Sequence, residues 1–139
     1  LDRTFLSIMA SSYNEETLEN GETRVVLALP PVLAPVKACV MPLVKKDGLP
    51  EKAREIINEL KFDFKCAYDE KDSIGKRYRR QDAVGTPFCI TVDHQTAEDN
   101  SVTIRHRDTM AQERVAIVDL HKIIGDAVNM KNLFKKIVE

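Results

Sequence analysis

From Val36 onward, short apolar runs alternate with amphipathic stretches, and this alternation restricts the fold more than any other feature of the chain. Residues 36–41 and 87–92 are apolar on both faces, as the central strands of a covered sheet are. Residues 50–61 instead repeat apolar side chains three and four positions apart, after a proline suited to the first turn of a helix. Strands that alternate with helices predict an α/β domain.

The elements that follow complete this domain. Gly85 suits the left-handed conformation that ends a helix, and Asp119 can cap the last helix. A polar turn at 95–100 joins the later strands and favours antiparallel pairing. The order of elements predicts a three-layer α/β domain with a mixed five-stranded sheet flanked by helices. The predicted strands are 36–41, 64–68, 87–92, 102–106 and 115–118, and the predicted helices are 50–61, 73–84 and 120–137.

Residues 1–29 follow a different pattern. Apolar side chains from Phe5 to Tyr13 form one helical stripe, and residues 24–29 are typical of a strand that Pro30 terminates. One short helix and one strand cannot bury a core alone, and the chain begins without a methionine. We therefore expect residues 1–29 to be the tail of a preceding domain with its linker, and residues 30–139 to be the α/β domain.

Composition excludes several classes of protein. The 139 residues contain no apolar run near the ~20 residues of a membrane span, so we expect no membrane partner. Lys and Arg number 21 against 22 Asp and Glu, so a nucleic acid would have to bind a local basic patch. The cysteines and histidines, three of each, lie far apart, which favours free thiols in a reducing cytoplasm and no metal site.

A basic island lies between Lys71 and Arg80, where five cations face one aspartate. On the predicted helix, Lys76 and Arg80 stack one turn apart beside a pair formed by Arg77 and Gln81. Several donors on one face suit phosphate oxygens. The alternative is an ordinary solvated helix face whose cations form salt bridges with nearby acidic residues.

A second polar set comprises Arg105, His106, Arg107 and Asp108 at the end of a predicted strand, where open α/β sheets often bind ligands. The two arginines share a face and can hydrogen-bond base edges or stack on unpaired bases. His106 has the opposite parity and is expected to point toward the apolar side. The alternatives are a core histidine and a plain ion pair between Arg107 and Asp108.

No catalytic motif is present in the sequence: it lacks G-x-S-x-G, a Walker loop and G-x-G-x-x-G. We therefore expect a binding module without catalytic residues rather than an enzyme. The alternative is a small α/β enzyme that uses Asp93 or His94 near a strand end as an acid or base.

Five segments, taken in order, resemble the C-terminal anticodon-binding domain of class II aminoacyl-tRNA synthetases, in particular the dimeric glycyl type. Lys37 occupies a position where threonyl and prolyl relatives usually have glutamine, which favours the glycyl branch. The segments are Leu1 to Leu6, Leu33 to Lys37, Ser73 to Tyr78, Gly85 to Phe88 and Val102 to Met110.

The resemblance implies a homodimeric, cytoplasmic parent enzyme that attaches glycine to its tRNA using ATP with Mg, of which this chain is a non-catalytic part that holds no cofactor. Residues 1–29 would be the remnant of its catalytic domain, with Arg3 as an ATP-contacting arginine. The partner of this chain would be the anticodon stem-loop of a tRNA, not DNA. The implied tRNA-binding residues are Lys76, Arg77, Arg80, Gln81, Arg105, Arg107 and Asp108.

Within that set, Lys and Arg would neutralise phosphates. Arg107, together with Asp93, Gln81 or Asp108, would read base edges. Two alternatives remain open at this point: an accessory protein-interaction domain of the same fold, and the anticodon-binding domain of a threonyl- or prolyl-type synthetase.

Overall fold

The computed structural model describes residues 2–138, which form six α-helices, seven strands and one 3-10 turn. The helices are α1 (Asp2–Ser12), α2 (Leu49–Leu60), α3 (Ile74–Val84), α4 (His94–Asp99), α5 (Leu120–Val128) and α6 (Met130–Val138). The strands are β1 (Tyr13–Thr17), β2 (Thr23–Leu27), β3 (Ala38–Pro42), β4 (Cys66–Tyr68), β5 (Phe88–Val92), β6 (Ser101–His106) and β7 (Gln112–Ala116).

Five of these strands form one mixed sheet in the order β4-β3-β5-β6-β7. β3 pairs in parallel with β4 and with β5, whereas β6 pairs antiparallel with both β5 and β7. The helical connections from β3 to β4 and from β4 to β5 permit the parallel pairs, and the short later connections permit the antiparallel ones. The predicted five-stranded mixed sheet is therefore confirmed.

Helices cover both faces of this sheet and give it three layers. On one face, α2 and α5 bury leucines and isoleucines such as Ile56 and Ile124 against Val40, Ile90 and Ile104. On the other face, α3 packs over a smaller apolar cluster. That second cluster contains Cys39, Met41, Cys89, Ala67, Ile74 and Tyr78. Ile104 and Arg105, neighbours on β6, point to opposite faces and are both buried, one in the larger cluster and the other against Tyr78 of α3.

The amino-terminal segment contains a hairpin that the sequence pattern did not reveal. α1 ends at Ser12, and Tyr13, predicted to continue the helical stripe, instead pairs with Leu27 in an antiparallel ladder between β1 and β2. The turn between the strands places Gly21 in the left-handed region, which favours glycine. β1 is polar and fully exposed, so it lacks the apolar alternation by which strands are identified.

The last strand, predicted at 115–118, is shifted to Gln112–Ala116, and three helical features also differ from the prediction. The predicted polar turn at 95–100 contains the short helix α4, which Asp93 and Thr96 begin with reciprocal capping hydrogen bonds. Asp119 makes no capping hydrogen bond, because it lies in a 3-10 turn that leads directly into α5. The long carboxy-terminal helix is divided in two, since Asn129 adopts an extended conformation between α5 and α6.

Candidate nucleic-acid interface

The two polar sets predicted from the sequence lie toward opposite ends of the strands, and α3 spans the distance between them. α3 begins at the edge where the parallel strands end, and the Arg77 Nη1 group donates to the Pro42 carbonyl at the end of β3, 2.6 Å away. β6 runs the other way, so the Arg107 amide donates to the Pro87 carbonyl, just before β5, at 3.0 Å. The structure therefore does not bring Lys76 together with Asp108.

The outward face of α3 is basic and exposed. Arg80 pairs with Asp69 and Asp72, each at 2.7 Å, and its side chain remains 41% exposed. Lys71 and Lys76 are exposed, and within residues 2–138 neither ammonium has a carboxylate within 4.0 Å. The outward face of α3 and the loop before it therefore offer two unneutralised cations beside a partly neutralised arginine, which suits a polyanion.

The inward face of α3 fixes the helix to the protein. Arg77 is buried, and its guanidinium also donates to the Asp72 carbonyl through Nη2 at 2.9 Å. Gln81 is buried as well, and its Oε1 atom accepts from the Thr86 hydroxyl at 2.8 Å. Tyr78 packs beneath the helix and shares a 2.7 Å hydrogen bond with Thr91. The Arg77 and Gln81 pair was predicted to lie on an open face, whereas its polar atoms bind within the protein.

Arg105 is held by a buried carboxylate beneath α3. Its Nη1 and Nη2 atoms donate to Oδ1 and Oδ2 of Asp82 at 2.8 and 3.1 Å, and its guanidinium lies 4.8 Å from the centre of the Tyr78 ring. Arg24 of β2 donates to the same carboxylate through Nε at 2.9 Å. Arg105 therefore lies inside a buried ion-pair network in which Asp82 binds two arginines, not at an open strand end.

Arg107 is 2% exposed, and its donors are engaged in the same way. Nη1 donates to the Gly85 carbonyl at 2.8 Å, Nη2 to the Leu29 carbonyl at 2.6 Å, and Nε to Asp108 at 2.9 Å. The predicted parity is correct, since Arg105 and Arg107 share one face and His106 packs on the other against Phe88. That shared face is covered by α3, so of Arg105, Arg107 and Asp108 only Asp108 is left at the surface, 63% exposed.

The carboxyl edge of the parallel strands carries a further polar group. Arg114 of β7 forms two hydrogen bonds with Asp93, at 2.6 and 2.9 Å. The hydrogen bond from Arg114, supported by that from the Thr96 amide, lowers the pKa of Asp93 below its usual value, although partial burial opposes the shift. Asp93 is thus a charged helix cap joined to an arginine at the position where β5 ends.

Two lysines in the loop after β3, Lys45 and Lys46, were not singled out from the sequence. β3 connects to β4 through α2 on one face, and β4 connects to β5 through α3 on the other, so the carboxyl ends of β3 and β5 flank a topological switch point. Open α/β sheets bind ligands there. The signal available in the sequence was a Lys-Lys pair directly after a buried strand.

Arg3, the residue implied to contact ATP, is exposed in the first turn of α1. One exposed arginine does not by itself form a nucleotide site. Within residues 2–138, no three His, Cys, Asp or Glu side chains come together as metal ligands. No helix in the described part of the chain is long and apolar enough to cross a membrane.

Comparison with known proteins gives a consistent result. Residues 37–126 match the family model of the anticodon binding domain. The chain is 50% identical over 124 residues to a glycine–tRNA ligase of Borrelia hermsii, and 54% identical over 114 residues to one of Chlorobaculum tepidum. These alignments cover 89% and 82% of this chain but only 28% and 24% of the relatives. The chain therefore spans a minor part of the length of these curated relatives.

Solved structures share the architecture. The RNA binding domain of threonyl-tRNA synthetase from Cryptosporidium parvum superposes with a TM-score of 0.65 at 25% identity, over 72% of this chain and 25% of that chain. Prolyl-tRNA synthetase from the same organism superposes with a TM-score of 0.68 at 20% identity, over 87% of this chain and 32% of that chain. At that identity the second likeness establishes the fold alone.

Proposed function

The chain belongs to the anticodon-binding domain family, and we propose that it binds the anticodon stem-loop of a tRNA on a basic surface formed by the outward face of α3 and the carboxyl edge of the sheet. The observation that carries this proposal is that Lys71 and Lys76 are exposed and have no carboxylate within 4.0 Å among residues 2–138. The start of α3 also contacts Pro42, after which the chain continues into the loop of Lys45 and Lys46. RNA backbones attract such cations, and a chain with a net charge of -1 needs a local patch to bind RNA.

The cognate tRNA of this proposal is that of glycine. Identity to glycine–tRNA ligases is 50% and 54%, against 25% and 20% to the threonyl and prolyl structures, so we favour the glycyl type. The whole protein would attach glycine to tRNA with ATP and Mg in the cytoplasm, as a homodimer. Residues 1–29 would then connect the catalytic part to the anticodon-binding part.

Within this proposal, the exposed and the buried residues have different roles. Lys76 and Arg80 contact phosphates directly, because their side chains reach solvent on one face of α3. Asp93, at the carboxyl edge of the sheet, offers carboxylate oxygens that can accept hydrogen bonds from base edges, whereas Asp108 follows β6 at the opposite end of the strands and lies outside this surface. The buried residues shape this surface from inside, since their side chains hydrogen-bond within the protein. These are Arg77, Gln81, Arg105 and Arg107.

A titration of the chain with two RNA hairpins tests the proposal. One hairpin carries a glycine anticodon stem-loop, the other a permuted anticodon, and each is measured at low and at moderate salt. We expect tighter binding to the glycine hairpin and weaker binding of both at the higher salt, because phosphate contacts release counterions. Equal affinities would show that the surface binds RNA phosphates without distinguishing the anticodon. The absence of binding to either hairpin would overturn the proposal.

A further inference from the structure

The hairpin formed by β1 and β2 lies along one side of α3. Glu22, just before β2, pairs with Arg79, and Arg24 pairs with Asp82. Further along, a Cβ atom on Gly85 would lie 3.1 Å from the Leu27 carbonyl oxygen, so the end of α3 and the end of β2 are in direct contact. The hairpin therefore contacts α3 over its second half. It also lies outside the segment that matches the family model, residues 37–126.

Arg24 joins three separate elements through one guanidinium. Nε donates to Asp82 of α3 at 2.9 Å, Nη1 donates to Glu16 of β1 at 2.7 Å, and Nη2 donates to the Arg107 carbonyl after β6. Burial alone would lower the pKa of Arg24, but its hydrogen bonds to Asp82 and Glu16 raise it, so the side chain stays charged. At 2% exposure, Arg24 cannot itself reach a bound RNA.

The inward face of α3 is held at two polar anchor points. Near its start, Arg77 donates to the Pro42 carbonyl, and near its end, Asp82 receives Arg24 and Arg105. A helix is stiff over this length, so its outward side chains follow the position of its inward contacts. If the second anchor is weakened, the helix can pivot about Arg77, and Arg80, one turn further on, moves with the released end.

We propose that Arg24 is a positioning residue for RNA binding: from the hairpin, it holds α3 in the orientation that presents Arg80 to the RNA backbone. The inference rests on the proposed function, because the proposed RNA-binding face includes α3. It adds a residue that touches no RNA and lies outside the matched domain. The hairpin then belongs functionally to the RNA-binding unit, although it precedes that unit in the chain.

A double-mutant cycle with Arg24→Met and Arg80→Met tests this inference on the full chain. The affinity for the glycine anticodon stem-loop is measured for the wild type, both single variants and the double variant, at a temperature where circular dichroism shows each to be folded. We expect each single variant to bind roughly 3- to 30-fold more weakly than the wild type. The fold loss of affinity in the double variant should be clearly smaller than the product of the two single fold losses.

The variant Arg24→Lys distinguishes the effect of the Arg24 charge from the effect of its hydrogen bonds. It also replaces Arg24→Met in the test if that variant does not fold. Lysine keeps the positive charge but cannot donate in three directions from a planar group. We expect Arg24→Lys to bind more weakly than the wild type. Full affinity in Arg24→Lys would show that charge alone matters, and full affinity in Arg24→Met or additive losses in the cycle would equally overturn the positioning role.

Hydrogen exchange provides a second readout. If the hairpin biases α3 toward the RNA-binding orientation, bound RNA must stabilise the hairpin by the same coupling. Amides of β2 are expected to exchange more slowly when the stem-loop is bound, and this protection should be lost in Arg24→Met. A wild type that binds no hairpin RNA would overturn the proposed function itself. A wild type that binds while β2 exchange stays unchanged would overturn only the role of Arg24.

Discussion

The carboxylate of Asp82 is fully buried and accepts two hydrogen bonds from the guanidinium of Arg105, at 2.8 and 3.1 Å. The pair connects α3 to β6 across the smaller of the two apolar clusters. Arg24 donates to the same carboxylate and also pairs with Glu16 at 2.7 Å, so two carboxylates balance the two guanidinium groups. Arg105 was predicted to face RNA, whereas the structure places it beneath α3, where it holds that helix to β6.

Asp82→Asn is expected to destabilise the fold strongly. The substitution keeps the size of the side chain but leaves the buried Arg105 without its counter-charge and Arg24 with only the half-exposed Glu16. Removing one partner of a buried pair costs about 3–5 kcal/mol. Urea unfolding followed by circular dichroism measures the change. Asp108→Asn is the matched control, because Asp108 is 63% exposed and its ion pair should contribute less than ~1 kcal/mol. Similar losses in both variants would contradict the assignment.

Arg107→Met is expected to lower stability rather than to change anticodon preference directly. The substitution removes a buried guanidinium that donates to two backbone carbonyls, so the free energy of unfolding should fall by about 2–4 kcal/mol. Chemical denaturation measures it, with the exposed Arg79→Met as a control that should lose less than ~1 kcal/mol. If Arg107→Met is stable but no longer distinguishes anticodons, Arg107 instead contacts the anticodon bases directly.

Lys76→Ala is expected to weaken binding to every anticodon stem-loop by a similar factor. The ammonium is exposed and unpaired with any carboxylate of residues 2–138, so it acts on phosphates and not on base edges. The slope of log K against log salt should decrease in magnitude by about one. Lys61→Ala, beyond the end of α2 on the other side of the sheet, should leave both affinity and slope unchanged. Loss of binding to only one anticodon would contradict this role.

Asp93→Asn is expected to reduce the sensitivity of the fold to acid. Because hydrogen bonds from Arg114 and Thr96 hold the pKa of Asp93 below its unfolded value, the carboxylate stabilises the native state above about pH 4. That contribution is lost as pH falls through the lower native pKa. Asparagine can still accept the capping hydrogen bond from the Thr96 amide, so the variant isolates the charge. The melting temperatures of the wild type and the variant should therefore become more similar as the pH falls from 7 to 3. A difference that stays constant over this pH range would contradict the prediction.

The three thiols are expected to react slowly in the native protein. Cys39 and Cys89 are buried side by side on β3 and β5, and burial raises the pKa of Cys39 to about 12 and that of Cys66 to about 11. Thiolate is the reactive form, so an aromatic disulfide reagent near neutral pH should find few reactive groups. Denaturant should make all three react. A rapid reaction of the native protein that is abolished in Cys66→Ser would contradict this prediction, because it would show that the Cys66 thiol is accessible to the reagent.

The local order of the carboxy-terminal part could be predicted from the sequence because burial is periodic. Runs that are apolar on both faces became β3 and β5, and residues 50–61 became α2 within one residue at either end. The family resemblance in segments such as Ser73 to Tyr78 and Val102 to Met110 is confirmed by the matched family model. These features depend on neighbouring residues, so one sequence is sufficient to identify them.

The sequence also identified the basic helix α3, but only the tertiary structure decided which of its cations face outward. Lys76 and Arg77 are adjacent in the sequence, yet one is exposed and the other buried, because Arg77 lies toward the end of β3. The hairpin was missed since β1 has no apolar alternation. Arg24 and Asp82 are 58 residues apart, and nothing local predicts that they meet. Such pairs form only when separate elements pack, and burial then gives a charged side chain a fixed partner in place of water.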